Sequence, residues 1–194
     1  MLKIGYMAIE RVPLKFSPRL FDRVFGELQV GLAERFAWLD HIFGKAERVA
    51  EKKGGVRIVS PAVYTGGNDY LNITPDDMTL GNYCFFTLDD PQDVEYVGMA
   101  GRVKARFSLV VWLDLRTVEA EDERNVEAVK SAILKALSGG VLLRSGSVRV
   151  HRVFEHPESV FSGFSYNHTD AQAAMHPYCA LRFSGEIVTN DNCI

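Results

Sequence analysis

From Ser17 onward the apolar residues Leu20, Phe21, Val24, Phe25, Leu28, Leu32, Phe36, Leu39 and Phe43 recur every three or four positions. That spacing lines one stripe of a helix. Ser17 is a candidate N-cap, with Pro18 at the first helical position where its missing N–H costs nothing. Gly26, Gly31 and Gly44 weaken the run, so the pattern predicts a bend or break over residues 37–44. The basic stretch "KAERVAEKKGG" suits a helix C-terminus, where cations face the negative end of the dipole and Gly54 supplies a left-handed cap.

The period then changes. "VRIVSPAVY" reads as a strand, with Pro61 forcing an edge or a bend, and "YLNITP" and "NYCFFTL" read as two short strands. Residues 89–101, "DDPQDVEYVGMAG", read as turn, so the next strand is expected from Arg102. "RVKARFSLVVWLDLRTV" passes from alternation to an unbroken apolar run over 109–113, the mark of a central strand. "EAEDERNVEAVKSAILKALSGG" gives a second helix, capped by Asn125 and ended by Gly139 and Gly140. Strands follow at "SVRVHRVF" and "YCALRFSGEIV", separated by a polar insertion over 155–177. This order predicts an α+β fold, a mainly antiparallel sheet packed against two helices with a projecting β-hairpin. The expected organisation is one domain over 1–194, with a hairpin arm over 61–101.

The chain has 194 residues and is 47% hydrophobic, enough to bury a core. Its formal net charge is -3, and no run of Lys or Arg offers the footprint of sequence-specific nucleic-acid binding. No stretch of about 18 apolar residues is present to span a bilayer, and the N-terminal run is broken by Glu10 and Arg11, unlike a signal peptide. The three cysteines, Cys84, Cys179 and Cys193, lack paired spacing, which fits a reducing compartment.

No catalytic, cofactor-binding or metal residues are assigned. "TGGN" lacks the spacing of a phosphate cradle, and Asp76, Asp77, Asp89 and Asp90 lack the register of a calcium loop. His176 and Cys179 form only one of the two pairs a structural zinc site uses, with His168 and Cys193 not far in sequence. Ser162 and Ser165 lack a nucleophile elbow, and Cys84 sits in what reads as sheet interior. An alternative reading takes the aromatic loops as pocket walls and His156, His168 or His176 as acid–base groups of a ligand-binding or enzymatic bacterial domain.

The aromatic residues say more. Tyr64, Tyr70, Tyr83, Phe85, Phe86, Tyr96, Phe161, Phe164, Tyr166 and Tyr178 cluster in two strand-and-loop regions. About half of them are expected to fill the core, and the rest to anchor a protein interface.

The segments "WLDHIFGKAERV" (38–49), "PAVYTGGNDYLNITPDD" (61–77), "FSLVVWLDLR" (107–116), "NVEAVKSAILKAL" (125–137) and "HPYCALRFSGEI" (176–187) resemble the tail-completion group of bacteriophage structural proteins. That group includes tail terminators and neck proteins, and the likeness is greatest to those of Bacteroidetes prophages. The resemblance implies a non-enzymatic subunit of a homo-oligomeric ring, commonly of six, at the tail end or head–tail junction. It implies other tail or head-connector proteins as partners, and location in the virion and, during assembly, the host cytoplasm. The implied subunit contacts are Tyr64, Tyr70, Leu71, Phe161, Phe164 and Tyr166. The loops after the first helix and before the last strand are longer than in small terminators.

Overall fold

The computed structural model describes residues 9–66, 69–75, 80–97, 100–118, 125–165 and 176–191. The fold is α+β and mostly sheet. Helix α1 (Phe21–Arg35) is followed by β1 (His41–Lys45), β2 (Glu47–Lys53), β3 (Val56–Gly66), β4 (Asp69–Asn72), β5 (Tyr83–Val97) and β6 (Ala100–Asp114). Then come α2 (Val126–Lys135), β7 (Gly146–Phe154), the short α3 (Pro157–Val160) and β8 (Tyr178–Asp191). Five strands form one sheet in the order β1-β5-β6-β8-β7, with β6 at its centre. Only the β1–β5 pair is parallel; the other pairs of this sheet are antiparallel. Strands β2, β3 and β4 form a second, antiparallel sheet.

Alternation along the strands sends side chains to two separate cores. Cys84, Phe86, Phe107, Leu109, Val111, Leu181 and Phe183 face α1 and α2 and bury Phe25, Leu28, Val129 and Ile133. Tyr83, Phe85, Val110, Trp112 and Ala180 face the other way, onto Val63, Ile73, Val160 and Phe161. The five-stranded sheet is thus covered by helices on one face and, over part of the other, by the small sheet and α3. The unbroken apolar run of β6 is the consequence of serving both cores.

Three sequence expectations are corrected. The long first helix stops at Arg35, where Arg11 donates to the Phe36 and Leu39 carbonyls at 2.9 Å each. "KAERVAEKK" is not its C-terminal end but β1 and β2, which continue through a two-residue Gly54–Gly55 hairpin into β3. Both glycines have positive φ (59° and 83°), the twist that a tight hairpin requires. Double glycine caps helices and closes hairpins alike, and pairing with β3 decides between them. Second, α1 begins at Phe21 after Leu20 at φ 45°, with no side-chain cap from Ser17. Third, residues 89–97 continue β5, and the turn chemistry of "DDPQ" is spent on a bulge between Asp89 and Asp93.

Pro61 lies in the middle strand of the small sheet, not at its edge. Its carbonyl accepts from the Ile73 N–H at 2.9 Å. Backbone groups at this position therefore point away from β2, and no bond to β2 is lost.

Gly185 sits where the β7 backbone comes close to β8. A Cβ there would lie 1.9 Å from the Arg149 carbonyl oxygen and 2.8 Å from Val150 Cα, so backbone would have to move. Gly185→Ala is expected to destabilise by about 3 kcal/mol, the upper end for overpacking, measured as a lower thermal midpoint.

Candidate protein interface

On β3 and β4, Tyr64 stands directly opposite Tyr70 and their rings lie 5.4 Å apart. The pair is on the outer face of the small sheet, because Val63 and Leu71, one residue away on each strand, face the core. Tyr64 is 56% exposed and Tyr70 52%, and Val56, on the same face by alternation, is 64% exposed. Cross-strand contact fixes both rings at little further entropic cost, leaving their faces and hydroxyls to solvent.

Of the other four expected contact residues, the three that are described are placed differently. Leu71 is half-buried against the inner cluster. Phe161 is fully inside, at 2% exposure, and Phe164 is half-buried edge-on to Phe85 at 6.2 Å. Tyr166 lies outside the described residues, as do Asp76, Asp77, His168 and Cys193. Of the remaining aromatics, Tyr83, Phe85 and Phe86 are completely buried, while Tyr96 is 72% exposed near the end of β5.

A polar layer that the sequence reading passed over ties the small sheet to the large one. Buried Arg182 on β8 donates from Nε to the Ser108 hydroxyl (2.9 Å) and the Ser184 hydroxyl (3.2 Å), and from Nη1 to the Ser162 carbonyl (3.1 Å). Asp89 accepts from Arg48 on β2 at 3.4 Å, and Arg182 Nη2 stands 3.9 Å from the same carboxylate. Burial holds the Arg182 guanidinium below its usual pKa, and the charge of Asp89 opposes that shift. The polar residues Ser108, Ser184 and Arg182 interrupting apolar strand patterns were the available signal.

Thr87 stands beside Ser108 in register, yet its buried hydroxyl has no hydrogen-bond partner among the described residues. Thr87→Val is expected to stabilise the fold by about 1 kcal/mol, since an uncompensated desolvation is removed at nearly constant volume. An unchanged or lower denaturant midpoint would show that the hydroxyl is satisfied in solution.

Of the histidines in the alternative chemical reading, His168 lies outside the described residues. His156 and His176 are exposed, and an open groove along α1, lined by Leu14, Gly26, Val30 and Leu142 among others, has no histidine in its walls. Among the described residues no cluster of three or more His, Cys, Asp or Glu could hold a metal. Burial pushes the Cys179 thiol up to about 11 and the fully buried Cys84 thiol higher still, so both are poor nucleophiles at neutral pH.

Compared with known proteins, the chain matches no family model and no curated sequence. The surface must be interpreted from its own chemistry. No helix among the described residues is long and apolar enough to cross a membrane.

Proposed function

We propose that this protein is a non-enzymatic assembly subunit that works by joining copies of itself, with the outer face of the small sheet as one contact. The observation that carries the reading is the Tyr64–Tyr70 pair, two preorganised aromatics more than half exposed on a short sheet whose strand β4 is an edge. Rigid exposed tyrosines are what interfaces use as anchors, because they bury much area for few frozen torsions.

The finer reading rests on the resemblance of the quoted segments to phage tail-completion proteins: a ring-forming subunit at the tail end or head–tail junction, meeting other tail or connector proteins. Ring closure needs a head-to-tail contact between unlike surfaces, so a second surface must meet the first copy's neighbour. Sedimentation of the purified protein across a concentration series tests the proposal. Growth toward a closed species, lost in a Tyr64→Ser/Tyr70→Ser variant, is expected; a wild-type protein that stays monomeric at the highest concentration would overturn it.

A further inference from the structure

The outer half of β5 and the whole of β7 are the two free edges of the long end of the five-stranded sheet. Strand β1 pairs with β5 only as far as Phe86, and among the described residues no strand lies outside β5 beyond that point or outside β7. Free edges are templates for pairing, and natural proteins leave them long only where they are protected or used.

The two edges are opposite in charge. From Asp89 to Val97, β5 carries Asp89, Asp90, Asp93 and Glu95 and no base. Strand β7 carries Arg149, His151 and Arg152 and no acid. One directly opposed row crosses the sheet as Asp89, Arg106, Glu186, Arg149, alternating in sign on four consecutive strands. Within it Glu186 is held below the usual carboxylate range by its contact with Lys104 at 2.9 Å, so it stays charged. The row ends negative on one edge and positive on the other. The next rows begin with Asp93 opposite Lys104 and Glu95 opposite Arg102. Asp89 already meets Arg48 of its own chain, and the other three acids, Asp90, Asp93 and Glu95, are exposed.

The apolar faces match too. Val94, opposite Val103, and Tyr96 lie on the helix-side face of β5, 51% and 72% exposed. On β7 the same face carries Val148, opposite Ile187, and Val150, both half-buried. Laid side by side, a β7 edge and a β5 edge set base against acid on one face and valine against valine and tyrosine on the other.

We infer that the β7 edge of one copy pairs with the outer β5 edge of the next, extending the sheet head-to-tail between subunits. This rests on the self-association reading and supplies its second, unlike surface. Because the two edges differ, the contact is heterologous and propagates to a ring or a filament. Each edge repels its own kind, and the bulges at Asp89–Asp93 and Val150–Arg152 discourage indiscriminate pairing, so specificity comes from complementary charge.

A charge-exchange experiment on the full chain tests this. Asp93→Lys/Glu95→Lys sets lysines on β5 where β7 brings its arginines, and Arg149→Glu/Arg152→Glu sets glutamates on β7 where β5 brings its acids. All four side chains are exposed, so the folds should be kept, as circular dichroism and thermal melting would verify. Each variant alone is expected to associate more weakly by about tenfold or more, through like-charge juxtaposition, while an equimolar mixture of the two recovers assembly. Raised salt should weaken wild-type assembly. Assembly of either variant alone at wild-type strength would overturn the edge pairing while leaving self-association standing. Monomeric wild-type protein would instead remove the reading beneath it.

Discussion

Replacing Asn82 with Ala should lower the unfolding free energy by about 2–4 kcal/mol, although the residue is polar. Asn82 is 1% exposed at the start of β5. Its Nδ2 donates to the Trp38 carbonyl at 2.9 Å and to the Thr117 hydroxyl at 2.7 Å, and its Oδ1 accepts from the Asp114 N–H at 2.7 Å. Its own N–H donates to Asp40 at 2.7 Å. One side chain thereby ties the loop after α1 to the end of β6. Alanine removes the amide's bonds to the Trp38 carbonyl and the Asp114 N–H, and each such loss costs about 1–3 kcal/mol. Asn82→Asp would keep the acceptor but lose the donor and place a second carboxylate beside Asp40, so it should be no better tolerated. Denaturant titration reads the effect as a lower midpoint at unchanged slope. A midpoint equal to wild type would mean that water replaces the amide and the hub is not structural.

The second large effect concerns association. Tyr64→Ser/Tyr70→Ser removes two rings that are more than half exposed, so the folded monomer should lose little stability beyond their mutual contact. Truncating an aromatic anchor at an interface costs about 2 kcal/mol or more, equivalent to roughly thirtyfold in dissociation constant. The expected signature is a large fall in assembly with a nearly unchanged melting temperature. Tyr64→Phe/Tyr70→Phe separates ring burial from hydroxyl bonding: if the rings supply the affinity, the double phenylalanine variant should retain most of it. Phe161→Ala offers the contrast. Its side chain is 2% exposed, so it should cost about 3–5 kcal/mol of folding stability whatever the protein binds.

Elements whose local chemistry agrees with their tertiary role were legible in the sequence. Helix α2 starts at Asn125 as expected, with the side chain accepting from the Ala128 N–H at 3.1 Å. The apolar run of β6 marked the central strand because its alternate side chains fill two cores. The stretch 45–55 was misleading since charged residues at helical spacing followed by Gly-Gly suit two structures, and the partner that selects the strand, β3, begins only at Val56. In "DDPQDVEYV" a bulge inside a long strand carries the same residues as a turn that ends one.

The candidate surface was legible in part. Exposed Tyr64 and Tyr70 follow from aromatic residues beside a short loop, but alternation within a hairpin sends Leu71 inward. Phe161, packed beneath the small sheet, could not be separated from them by spacing. The opposed edge charges were invisible because β5 and β7 are far apart in sequence, and neither was known to be an edge until the strand order was in hand.

Sedimentation velocity of the wild-type protein beside Tyr64→Ser/Tyr70→Ser, over the same concentration series, bears most directly on the idea that this molecule acts by giving its exposed surface to other copies. The expected result is a wild-type distribution that shifts to a larger closed species while the variant remains at the monomer mass. Wild type and variant sedimenting alike as monomers throughout would contradict it.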